Sequence, residues 1–141
     1  MEFLFDRILL SAFFSSAAAQ VIKTAIDTWR VGRFNWRSLF RGAGMPSSHT
    51  ATVVGLSAAV WFSEGPSHLF FVTLVLSSIV IRDVMGDKVF AAHQEKIINE
   101  FFDDVSEGRP VKWKHLIGHT GIEVAAGCSV GIIVAAATCL G

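Results

Sequence analysis

Charge is scarce in this chain. Only 17% of its 141 residues are Asp, Glu, Lys or Arg, against about 25% in an average soluble domain. With 52% hydrophobic residues and a mean hydropathy of +0.51, disorder is excluded and an ordinary soluble enzyme is a poor fit. Neither sign of charge dominates. Twelve basic residues face twelve acidic ones, so nothing draws the whole molecule to nucleic acid and any cationic site must be local. Cysteine is limited to Cys128 and Cys139, both inside a long apolar run, which excludes a disulfide framework. They read as small packing residues. No Pro-, Ser- or charge-rich linker, internal repeat or low-complexity tract divides the chain, so residues 1–141 read as one membrane-embedded domain.

The hydrophobicity lies in four stretches: Ile8 to Ile22, Thr50 to Phe62, Leu69 to Ile81, and Gly121 to Gly141. The first has an Ala17-Ala18-Ala19 run that could pass for a signal cleavage site, but Glu2, Asp6 and Arg7 make its leading segment net acidic. A secretory leader is basic there, so the segment reads as the first membrane helix. The two central stretches are short for spans and need extension, back toward Met45 and forward through Arg82 and Asp83. Glu64-Gly65-Pro66-Ser67-His68 joins them as an antiparallel hairpin. Val84 to Val105 has apolar residues at Val89, Ala92, Ile97, Phe101 and Val105, close to a 3.6-residue period, and reads as a separate amphipathic helix stopped by Glu107-Gly108-Arg109-Pro110. The expected fold is an all-α integral membrane bundle of about four transmembrane helices plus this interfacial helix.

Lys and Arg collect in two connections: Lys23 to Arg41, and Arg82 to Lys114, with only Arg7 elsewhere. The split of eleven against one places both long connections in the cytoplasm and both termini outside. Trp29, Trp36 and Trp113 in the basic connections and Trp61 at a helix end fit interfacial belts.

Chemistry gathers at two junctions. Arg41-Gly42-Ala43-Gly44-Met45-Pro46-Ser47-Ser48-His49-Thr50 is glycine-rich, polar and runs into an apolar helix, where unpaired N–H groups and the helix dipole attract an anion. Ser47 or Ser48 can cap that helix, with His49 in its first turn. Gly118-His119-Thr120-Gly121-Ile122-Glu123 opens the last apolar run in the same way. His119 and Glu123, four apart, share a helix face, so the carboxylate can orient the imidazole. Glu123 equally suits a helix N-terminus as a partner of the dipole. The topology puts both junctions at one end with Lys23 and Arg30. Two histidines, a carboxylate and two cations suit phosphoryl transfer through a covalent histidine.

Pro46-Ser47-Ser48-His49 together with His119-x-x-x-Glu123 resembles the divergent branch of the type 2 phosphatidic acid phosphatase superfamily, related to acid phosphatases and vanadium haloperoxidases. The likeness extends over nearly the whole chain, including the Asp83-x-x-Gly86 region. The parent pattern is Lys, six residues, Arg-Pro; then Pro-Ser-Gly-His; then Ser-Arg, five residues, His, three residues, Asp. Lys23 and Arg30 keep the first spacing with Val31 in the place of Pro; Ser48 stands for Gly and Glu123 for Asp. The arginine six residues before the last His is absent, its place taken by Trp113; Lys112, Lys114, Arg82, Lys88 and Arg109 are the cations available to substitute by charge, and none matches by position.

The resemblance implies His119 as nucleophile, Glu123 as its orienter and His49 as general acid. Lys23, Arg30, Ser47 and the backbone near Ser48 would hold the phosphate of a lipid or polyprenyl phosphate, with no metal or other cofactor. The partners implied are that phosphorylated lipid and the surrounding membrane lipids. Parent enzymes usually have six spans, and dimerisation is one way to replace the packing this shorter chain lacks. Two other readings stay open: a weak or inactive membrane protein that binds, carries or senses a phosphorylated lipid, and metal chemistry through Asp83, Asp87 and Glu95. The latter competes with simple solvated charges on an amphipathic helix. His68, in the hairpin turn, falls at the opposite end; His93 and His115 read as interfacial polar residues.

Overall fold

Local signals at the helix ends set the elements. In the computed structural model, which describes residues 6–32, 34, 44–105 and 119–141, four helices are formed. α1 (Arg7–Val31) begins where the Asp6 carboxylate accepts the Ile8 N–H at 2.7 Å and ends at Gly32, whose φ of 73° returns its N–H to the Thr28 carbonyl. α2 (Ser48–Glu64) is capped by Ser47 and stops at Gly65, φ 70°. α3 (His68–Val105) follows after the short Gly65-Pro66-Ser67 turn. α4 (Gly121–Leu140) opens on a capping box formed by Thr120 and Glu123.

One expectation changes at α3. The apolar stretch from Leu69 and the amphipathic stretch to Val105 are not separate elements but one 38-residue helix. No proline separates them, and Gly86 alone costs only about 1 kcal/mol against alanine, too little to end a helix. At roughly 57 Å α3 exceeds a hydrocarbon core of about 30 Å, so its second half carries the polar residues beyond the apolar zone. Its proposed stop at Glu107 to Pro110 lies outside the described residues.

Among the described residues three helices are long and apolar enough to cross a membrane: Arg7–Val31, His68–Phe101 within α3, and Gly121–Leu140. α2 has 17 residues, about 25 Å, the lower limit for a span. It is also the innermost helix, packed against α1, α3 and α4.

Direction follows from the contacts. α2 and α4 run parallel: the Ser47 N–H donates to the Glu123 carbonyl at one end (3.0 Å), and Cys139 Sγ meets Ser63 Oγ at the other (3.7 Å). α1 runs against both, since Arg7 Nη1 donates to the Cys139 carbonyl (3.2 Å). α3 returns along α2, with Thr73 bonded to Ser57 (3.4 Å) and Ser77 to the Val53 carbonyl (2.9 Å).

The interior is small and hydroxyl-bearing. Ser11, Ser15, Ala19, Ala51, Ser57, Ala59, Thr73, Ser77 and Ala135 are buried, whereas Phe13, Val21, Phe71, Val72, Ile79 and Ile133 point outward and are more than half exposed. Large apolar groups outside and small residues between the helices are the pattern of a bundle solvated by lipid. α4 approaches α2 so closely that a Cβ on Gly131 would sit 2.7 Å from the Ala51 carbonyl oxygen and 2.8 Å from the Gly55 nitrogen.

Candidate active site

The parallel course of α2 and α4 brings their N-termini together at one end of the bundle. The first N–H groups of each helix have no partner within it, and both positive dipole ends point the same way. Ser47 is fully buried. Its hydroxyl accepts from Thr50, backbone N–H at 3.4 Å and side-chain O–H at 3.0 Å, while its own N–H is held by the Glu123 carbonyl. The two motifs are therefore tied directly to each other. Ser48 is the first helical residue, half-buried, and His49 is exposed in the first turn.

His119 sits just before α4 and is 4% exposed. Its backbone N–H donates to the Val84 carbonyl of α3 at 3.0 Å. Its Nδ1 lies 3.5 Å from Glu123 Oε2 and makes no hydrogen bond. That separation exceeds the roughly 2.7–2.9 Å of a charge-assisted bond. The same Glu123 oxygen accepts the Thr120 N–H at 2.6 Å. Glu123 thus serves both readings of the sequence, closing the helix cap and facing the imidazole.

Lys23 supplies the buried cation. Only 1% of it is exposed, and it passes over Gly44, where a Cβ would lie 2.8 Å from Lys23 Cε. Gly44 has φ 133°, a backbone conformation that favours glycine here. Burial is the largest influence on His119 and pushes its pKa below the ordinary 6.5; Glu123 pulls it upward, and Lys23 and His49 push it down again. The neutral imidazole is therefore the favoured form at pH 7. These couplings also place Lys23, His49, Glu123 and His119 in one electrostatic neighbourhood.

The remaining candidates are dispersed. Arg30 is exposed in the last turn of α1, about 10 Å beyond Lys23 along the helix. Arg82 is exposed on α3, two residues from the Val84 that holds His119. Lys112, Lys114 and Trp113 lie outside the described residues, as does the side chain of Lys88. Among the described residues no three His, Cys, Asp or Glu side chains gather to hold a metal ion.

Two parts of the site escaped the reading of the sequence. The Val84 carbonyl has no side-chain signature. The close α2–α4 seam does have one, because Gly127, Gly131 and Ala135 recur every fourth residue, the small-residue spacing of tightly packed membrane helices.

Fold and site together define an integral membrane helical bundle with a buried lysine and a histidine–carboxylate pair where two parallel helices begin. The sequence profile of the family described as Divergent PAP2 matches residues 4–134, and the chain belongs to that family. It is 34% identical over 148 residues to the "Uncharacterized membrane protein YuiD" of Bacillus subtilis (strain 168), with 94% of each chain covered. No solved structure matches.

Proposed function

We propose that this protein is a membrane-embedded phosphatase that hydrolyses a lipid or polyprenyl phosphate or pyrophosphate through a phosphohistidine, without a metal. The observation that supports this most is the buried His119 facing Glu123 at 3.5 Å where the α2 and α4 N-termini meet, with the buried Lys23 close enough to act on its charge. Family membership supports it as well.

With Nδ1 turned to Glu123, Nε2 of His119 is the atom that attacks phosphorus. The bond to the leaving oxygen breaks as His49 donates a proton to it, releasing the lipid alcohol or, from a pyrophosphate, the lipid monophosphate. Water then attacks the phosphohistidine, His49 takes its proton, and inorganic phosphate leaves with His119 restored. Lys23 and the N–H groups of the α2 first turn offset the developing charge, with Arg30 a further cation near the entrance. Ser47 acts by capping and fixing that turn.

A second reading is supported by Trp113 standing where the parent pattern has arginine. Losing one such charge-stabilising group typically costs about 10²–10³ in rate. On this reading the site binds, carries or senses a phosphorylated lipid and turns it over little.

Phosphate release from a panel of lipid and polyprenyl phosphates, in detergent with chelator present, tests both. Release by wild type, lost in His119→Ala and His49→Ala, establishes the phosphatase. Binding of a phosphate analogue that needs Lys23 and Arg30, without release, establishes the second reading. The excess of Lys and Arg at the site end supports a cytoplasmic site with both termini outside. Labelling of Met45→Cys by an impermeant reagent added to intact cells would overturn that orientation.

A further inference from the structure

The buried face of α1 follows α2 toward its N-terminus. Ser11 donates to the Gly55 carbonyl, Ser15 lies against Gly55, and Lys23 lies against Gly44, three residues before Ser47. Ser11, Ser15, Ala19 and Lys23, spaced by four, are each 1% exposed or less, and Thr24 is buried beside Lys23. The same row runs on past the lysine. Asp27 follows four residues after Lys23 and three after Thr24, so it stands one turn further along, on the face between two buried residues.

Asp27 is half-buried. Its Cβ lies about 5–6 Å from that of Lys23 by helix geometry. Helical side chains lean toward the N-terminus, which brings the carboxylate back over the turn that carries the lysine. Because α1 runs against α2 and α4, this turn belongs to the end where their N-termini meet. Lys23 in turn is close enough to His119 to act on its charge. Asp27 has no task in the phosphohistidine steps.

An acid beside an anion site opposes its ligand. Among the described residues at this end, Lys23 and Arg30 are matched in charge by Asp27 and Glu123, and Arg82 by its neighbour Asp83. What remains positive is the pair of helix N-termini, roughly half a unit charge each. A phosphate monoester carries about −2 at pH 7 and already exceeds that, and a pyrophosphate brings further negative charge. Wherever that extra charge sits in the site, Asp27 repels it, whereas a neutral residue would leave a net cation to hold it.

We propose that Asp27 is a specificity-determining residue that limits the charge the site accepts, so that a lipid monophosphate is taken in preference to the pyrophosphate of the same lipid. The proposal rests on the phosphatase reading for its reaction. Wild type, Asp27→Asn and Asp27→Glu are compared on a lipid monophosphate and the pyrophosphate of the same alcohol, with chelator present. Wild type has the higher kcat/KM on the monophosphate. In Asp27→Asn the ratio of monophosphate to pyrophosphate kcat/KM falls about fivefold, the effect of removing one charge a helical turn away in partly hydrated surroundings. In Asp27→Glu the ratio stays within twofold of wild type. Added salt lowers the ratio in wild type and not in Asp27→Asn. A wild-type preference for the pyrophosphate, or a ratio that Asp27→Asn leaves unchanged, overturns the proposal. So does an equal loss on both substrates, which makes Asp27 a structural partner within α1.

Should wild type release phosphate from neither substrate, the phosphatase reading fails and Asp27 is judged by binding alone. Non-hydrolysable phosphonate and diphosphonate analogues of the two lipids are then titrated. Wild type binds the phosphonate more tightly, and Asp27→Asn narrows the difference about fivefold. No difference in wild type, no narrowing in the variant, or no binding of either analogue overturns the proposal.

Discussion

α2 has two neighbours held in opposite ways. Against α4 it packs through glycine and alanine, backbone to backbone, so that the two N-termini align and the Ser47 N–H reaches the Glu123 carbonyl. Against α3 it packs through hydroxyls, Ser77 on the Val53 carbonyl and Thr73 on Ser57, and leaves an open groove. Reacting groups demand positions held to fractions of an ångström, and the residues proposed to react lie at the tight seam. The looser pair contributes a single anchor to the candidate site, the Val84 carbonyl. In lipid, where burying apolar area yields little, close backbone approach is what makes one helix pair rigid and its absence what makes the other permissive.

The strongest way to break this contrast is Gly131→Leu. Its side chain would collide with α2 backbone on two sides, and overpacking of this kind costs about 3 kcal/mol or more. Thermal unfolding in detergent should show a much lower Tm or no folded protein, and a near-wild-type Tm would refute the rigid seam. Next comes Glu123→Gln. Glutamine still completes a capping box, so Tm should stay close to wild type while kcat/KM for phosphate release falls about 10²-fold, from the loss of charge facing His119. Equal loss of stability and activity would assign Glu123 to the cap alone.

Acidity gives a smaller effect. Because the pKa of His119 is lowered from 6.5, the imidazole proposed to attack stays neutral somewhat below that pH. The acidic limb of kcat/KM should therefore lie under pH 6.5, and move upward in Lys23→Gln, whose lost cation no longer repels the imidazolium. The linkage has the matching sign. Between the lowered value and 6.5 the unfolded chain binds more protons than the folded one, so stability falls as pH drops through that window and is regained above it. A limb above 6.5 would contradict the burial of His119.

The smallest effects belong to α3. Ser77→Ala removes one interhelical bond worth about 0.6 kcal/mol. Gly86→Ala, whose added Cβ meets nothing within 4 Å, should be neutral or stabilise the helix by up to about 1 kcal/mol. A large loss of Tm in either would show that α3 is held more tightly than its contacts indicate.

Much of this architecture is legible along the chain because membrane helices obey local rules. Three of the helices have capping residues beside them in sequence: Asp6, Ser47, and Thr120 with Glu123. The Gly65-Pro66 turn announces the α2–α3 hairpin. The pairing of His119 with Glu123 follows from a spacing of four, which any helix converts into neighbourhood. The break expected between the two halves of α3 failed because a change from uniform apolarity to an amphipathic pattern marks a change of surroundings, from lipid to interface, and carries no signal that ends a helix.

By itself the sequence determined that this is a helical membrane protein and where three of its helices are capped. Those properties depend on composition and on residues within a few positions of one another. Only the tertiary structure decided that α2 and α4 run parallel, that Lys23 passes over Gly44, that α3 holds His119 through a carbonyl, and that an apolar groove opens between α2 and α3. Each of these joins residues tens of positions apart, through backbone atoms common to every residue or through gaps between helices, and neither is written in side-chain identity.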